Sequence, residues 1–153
     1  MFLEFDDISP MCHIIHALSC IFAQVSAIFR LEGIVLILIA GPYRSGAGDD
    51  PQKMAANLKR LEAPSYALFK AGHIPMIGEW VALPVWRAAG GAKVGDALYE
   101  EIFHPVAHRL LDLCEGVLRL PGESNGADND VALANKRGIP VWFDLRDVPG
   151  VRP

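Results

Sequence analysis

Cysteine is scarce in this chain: Cys12, Cys20 and Cys114 are the three, and no CxxC pair occurs. That removes the spacings on which a disulfide framework or a zinc site is built, and a reducing cytoplasm is the simplest home for such a sequence. Basic clusters are lacking as well. The formal net charge is −4, so binding to a nucleic-acid polymer by counterion release has no footprint. No glycine-rich stretch continues into Gly-Lys-Ser/Thr, and none has the GxGxxG spacing of a dinucleotide fold. The HxE and CxxC pattern of zinc deaminases is missing too, as are internal repeats and low-complexity tracts.

The apolar stretch from Met11 to Phe29 lacks what an export signal or a membrane span requires. Glu4, Asp6 and Asp7 stand where a signal peptide carries Lys or Arg. His13, His16, Ser19 and Gln24 are costly in hydrocarbon. Ile14, Leu18, Ile21, Val25 and Ile28 recur at steps of four and three, which predicts an amphipathic helix. Residues 1–32 are therefore read as an appended apolar helix that packs on the domain or a partner, or as a stretch upstream of the true start. The polar residues oppose a membrane anchor.

What the sequence does contain is an alternation of short apolar runs and helical patterns over residues 33–145, followed by a polar, peripheral tail at 146–153. Ile34 to Ile39 reads IVLILI, six apolar residues without alternation, the signature of a strand buried on both faces. Asp50 followed by Pro51 starts a helix, expected to run to about Ala71 with a kink at Pro64 and a stop at Gly72. His73 to Ile77 is the second strand. Gly78 to Gly95 reads as a long loop, with Glu79, Trp80 and Trp86 in it. Asp96 to Cys114 is helical and should be split at Pro105. Gly116 to Leu120 is the third strand, a helix from about Ala127 to Arg137 follows, and Ile139 to Phe143 is the fourth strand. The order β-α-β-α-β-α-β predicts an α/β fold: a flavodoxin- or Rossmann-like three-layer sandwich around a four- to five-stranded parallel sheet. Ligands of such sheets bind outside the carboxyl ends of the strands.

Two chemically rich loops are expected at that edge. The first, Gly41 to Asp50, has Gly41, Gly46 and Gly48 for tight turns, with Arg44 and Ser45 among them. Backbone amides near a helix start, joined by one arginine, suit a phosphate; a flexible turn with a solvated arginine is the plainer alternative. The second, Pro121 to Asp130, presents Ser124 and the amides around Gly126 at a helix N-terminus. Asp128 reads as a helix-start residue favoured by the dipole. Asp130 lies one turn further in and is able to face the cleft.

Four segments follow one another in order: Ala40-Gly41-Pro42-Tyr43-Arg44-Ser45-Gly46; Leu113-Cys114-Glu115-Gly116-Val117-Leu118; Ser124-Asn125-Gly126-Ala127-Asp128-Asn129-Asp130-Val131-Ala132-Leu133-Ala134; and Lys136-Arg137-Gly138-Ile139-Pro140-Val141. Over about Ile34 to Phe143 this resembles the nucleoside 2-deoxyribosyltransferase superfamily, including its deoxynucleoside-monophosphate N-hydrolase branch. The resemblance implies N-glycosidic bond cleavage or transfer on 2-deoxynucleosides or their 5′-monophosphates. It implies Asp130 as the nucleophile, where the family carries glutamate, and Glu115 where the family carries aspartate. It places Tyr43 near sugar and base, and Arg44, Ser124 and Gly126 around the 5′-phosphate; Gly41 and Ser45 of the first loop join them as substrate- or phosphate-binding candidates. The family's further acid has no clear match; Glu100, Glu101 and His104 lie in the plausible stretch. No metal or redox cofactor is implied, and a homodimer or higher homo-oligomer is.

Other residues have plainer readings. His73 reads as structural. Trp80 and Trp86 read as lid or dimer contacts before base-stacking groups. Asn57 reads as part of a polar helix face, and Glu79 as surface charge with sugar binding as the alternative. Two further functions fit the same fold: a nucleotide-binding sensor or interaction module without turnover, and a flavodoxin-like domain that binds a ligand such as a flavin.

Overall fold

The computed structural model describes residues 33, 35–48 and 50–152. The expected N-terminal helix falls outside the described residues. All elements below belong to the compact unit Val35–Pro153.

Four strands form one sheet: β1 (Leu36–Ala40), β2 (Ile74–Ile77), β3 (Gly116–Arg119) and β4 (Val141–Trp142). Their order is β2-β1-β3-β4, and every neighbouring pair is parallel. β1 is flanked on both edges, Leu38 lying opposite Met76 on one side and Val117 on the other. This explains its unbroken apolar run. Leu38 and Ala40 join an apolar cluster with Leu111, Val117, Ala127 and Ala134, while Ile37 and Ile39 join another with Leu61, Leu68, Leu118 and Val148. Alternate residues of one strand thus feed two cores.

The helices are α1 (Pro51–Glu62), α2 (Ser65–Lys70), α3 (Gly78–Ala88), α4 (Ala97–Leu111) and α5 (Asn125–Lys136). Asp50 caps α1 by accepting from the Gln52 amide at 2.9 Å, with Pro51 in the first position where no donor is missed. The break at Pro64 is complete, leaving two helices instead of one kinked helix.

The expected loop at Gly78–Gly95 is largely helix α3. Ala82, Leu83 and Trp86 supply a buried stripe, and this burial outweighs the single backbone bond that Pro84 cannot make. α4 likewise runs through Pro105 unsplit, capped by Asp96 at the Tyr99 amide (2.7 Å) and anchored by Leu110 and Leu111. The tail also departs from its reading as peripheral. After a 3-10 turn at Leu145–Asp147, Val148 enters the core at 2% exposure, and Nε2 of His73 lies 2.6 Å from the Pro149 carbonyl oxygen. No helix among the described residues is long and apolar enough to cross a membrane.

Candidate functional site

Parallel strands deliver all their following segments to one edge of the sheet. The first loop leaves β1 there, and the second leaves β3. The two touch: a Cβ on Gly122 would come within 2.8 Å of the Pro42 ring, and the Leu120 amide donates to the Ala40 carbonyl at 2.8 Å. Gly41 is equally confined, since a Cβ there would meet Leu61 at 3.0 Å and Leu120 at 3.2 Å. Gly46 turns the first loop at a φ of +71°, where a side chain is strained.

Asn57, expected on a plain polar face, fixes this loop. Its side-chain amide donates to the carbonyls of Tyr43 (2.8 Å) and Ser45 (3.4 Å). The second loop is braced by a residue the sequence did not single out. Arg119, 8% exposed at the end of β3, donates to Asp128 at 2.7 Å and to the carbonyls of Leu120 and Gly122, the latter at 2.8 Å. Ser124 caps α5, its hydroxyl accepting from the Ala127 amide at 3.3 Å. Asp128 therefore serves the ion pair as well as the helix start.

Between the loops lies a cleft of about 330 Å3. It brings together Gly41, Tyr43, Arg44, Ser45, Ser124, Gly126 and Asp130, all of the expected site residues but one. The exception is Glu115. It precedes β3, and its amide bonds the carbonyl of Leu36 at the start of β1. Glu115 thus sits at the amino edge of the sheet, roughly 10–13 Å of strand away from the cleft, and it leaves the candidate catalytic set. The cleft also admits Glu79, Glu100, His104, Tyr99 and Phe103.

Glu79 is the main residue that sequence reading undervalued. Because α3 begins directly after β2, its first turn reaches the same sheet edge as the two loops. Burial above all, opposed by its own backbone hydrogen bond and aided by the charge of Asp130, pushes the Glu79 carboxyl up to about 7. Asp130 is itself pushed up to about 6 by burial, opposed by His108, His104 and Arg119. The two carboxyls share one cleft, so the charge of either one opposes ionisation of the other.

α4 forms the opposite wall. Tyr99 and Phe103 stack with ring centres 3.6 Å apart, and Trp86 meets Tyr99 edge-on at 6.4 Å. Burial raises the hydroxyl pKa of both Tyr43 and Tyr99, with Glu79 adding to each. Glu100 bridges two side chains along this wall, Arg44 through Nη1 at 3.4 Å and His104 through Nε2 at 3.3 Å. A Cβ on Gly95 would overlap the Arg44 guanidinium, so glycine there gives that group its seat.

Trp80 and Trp86 do not line the cleft. Trp80 donates to Glu62 at 3.1 Å, and Trp86 donates to Asp96 at 3.2 Å from within an apolar cluster. His73 is buried beside the tail, away from the cleft. Among the described residues no group of His, Cys, Asp or Glu is arranged to hold a metal ion. In comparisons with protein-family models, curated proteins and solved structures, nothing matches the chain.

Proposed function

We propose that the protein cleaves the N-glycosidic bond of 2-deoxynucleosides or their 5′-monophosphates, by hydrolysis or by transfer to another base, with Asp130 as nucleophile and Glu79 as general acid. The observation that carries this reading is the pair of carboxyls in one cleft, Asp130 at about 6 and Glu79 at about 7. Near neutral pH such a pair holds one proton, leaving Asp130 charged and Glu79 able to donate.

The chemistry then balances. The Asp130 carboxylate attacks the anomeric carbon as the bond to the base nitrogen breaks, and its electron pair leaves with the base. Glu79 gives its proton to the departing base. A water molecule next attacks the anomeric carbon, returning a proton to Glu79 and releasing Asp130. In transfer, a second base replaces the water. Tyr43 stands beside the sugar, and the face of Tyr99 and Phe103 suits a planar base. Arg44, Ser45, Ser124 and Gly126 receive the 5′ end, with the backbone donors at the start of α5 favouring an anion.

The strand order and the two cores on alternate faces of β1 support a flavodoxin-like three-layer sandwich, which binds ligands where the strand order reverses, here between β1 and β3. A cytoplasmic homo-oligomer goes with the same reading.

Deoxynucleosides and deoxynucleotides incubated with the protein should yield free base, read by chromatography, and Asp130→Ala should abolish it. Release that persists unchanged in that variant refutes the assignment. The shorter reach of aspartate favours a second reading, a nucleotide sensor without turnover. Tight binding by calorimetry with no product over hours would select it.

A further inference from the structure

Charge divides the neighbourhood of the cleft into two compartments. The cleft carries three carboxyl groups, Glu79, Glu100 and Asp130, of which Asp130 and Glu100 bear the negative charge when Glu79 holds its proton, against one guanidinium, Arg44, which already lies 3.4 Å from Glu100. Beyond the strait formed by Ser45, Ser124 and Asn125 opens a second groove of about 650 Å3, sharing those three residues with the cleft. Its far wall is α1, where Lys53, Asn57 and Arg60 follow at steps of four and three and so share one helical face. Lys53 and Arg60 are exposed. Lys53 forms no ion pair among the described residues. Arg60 is held at the rim by a 3.5 Å bond to the Pro121 carbonyl, leaving most of its donors unused. Glu123 is the one acidic side chain in this lining.

Resting on the glycosidic reading of the cleft, we propose that this groove is a polyphosphate subsite, in which Lys53 and Arg60 hold the outer phosphates of a 2-deoxynucleoside 5′-di- or triphosphate. The base and sugar lie in the acidic cleft, where a cationic sugar centre is favoured and a phosphate chain is repelled. The first phosphate occupies the strait at the α5 N-terminus, and the outer ones continue past it. The two cations are about 10 Å apart along α1, so the chain meets one after the other.

Calorimetry on the full chain with inorganic phosphate, pyrophosphate and tripolyphosphate reads the groove without the glycosidic step. Affinity should rise with chain length. Lys53→Ala and Arg60→Ala should each weaken tripolyphosphate about tenfold or more, and Glu123→Gln should tighten it. All three positions are exposed on the surface, and unchanged melting curves confirm folding. In base-release kinetics, KM should be lowest for the triphosphate, and Lys53→Ala should raise that KM while leaving the monophosphate's unchanged. No tripolyphosphate binding, or binding indifferent to both cations, overturns the subsite. Base release without dependence on phosphate number overturns it as well and leaves the glycosidic reading standing. Tripolyphosphate binding with no base release supports the groove and overturns the glycosidic reading.

Discussion

Burial in a shared cleft raises the proton affinity of Glu79, and the charge of Asp130 adds to it, although the two residues stand 51 positions apart on different helices. In the proposed reaction, the one proton that this pair holds near neutrality, with Asp130 at about 6 and Glu79 at about 7, marks the reactive state.

The first prediction follows from it. The kcat/KM profile should be bell-shaped, rising through about pH 6 as Asp130 ionises and falling through about pH 7 as Glu79 loses its proton. Glu79→Gln should remove the alkaline limb and lower kcat by roughly 100- to 10,000-fold for substrates with poor leaving bases. A flat profile from pH 5 to 9 would show that the pair does not govern turnover.

Stability should follow the opposite demand. Glu79 holds its proton more firmly in the folded chain, at about 7, than at its ordinary 4.5. Between those values the native state binds more protons, so stability falls as pH rises and stays reduced above pH 7. Glu79→Gln should therefore be more stable than the parent at pH 8, by roughly 1–3 kcal/mol, and close to it at pH 4. Urea midpoints at both pH values check the sign.

Asn57→Ala leaves the carbonyls of Tyr43 and Ser45 without their side-chain donor. The expected outcome is a loss of about 1–2 kcal/mol in stability and a raised KM. Asn57→Asp should fare no better, because a carboxylate offers those carbonyls no proton. Steady-state kinetics beside thermal melts separate the two effects.

Asp128→Ala should cost about 1–2 kcal/mol: Arg119 is buried and loses its carboxylate, yet keeps the carbonyls of Leu120 and Gly122. A double-mutant cycle with Arg119→Met should give a coupling near 1 kcal/mol, discounted because Asp128 is 64% exposed.

Sequence reading succeeded where a pattern had one physical cause. A run such as IVLILI makes sense only as a strand covered on both faces, and a serine before an acidic first turn marks the start of α5. It failed where burial overrode local signals. Gly78 and Pro84 announce a loop, but Leu83 and Trp86 gain enough from packing to make helix, and with that helix Glu79 reaches the cleft. Glu115 entered the candidate set through the resemblance, although its place directly before the third strand puts it at the sheet edge opposite the loops. Arg119 looked like any residue in a short strand, and its bracing of the second loop depends on a partner nine positions away.

α4 is a single bar carrying two different instruments. Tyr99 and Phe103 set how much flat surface a ligand meets, while Glu100 and His104 set the charge beside it, all on successive turns of the same helix. Pro105 interrupts the backbone ladder directly after them, since a proline nitrogen has no hydrogen to give the carbonyl of Glu101. A tilt at that joint would change the cleft's width and its polarity together, because both sets of side chains ride on the same helix.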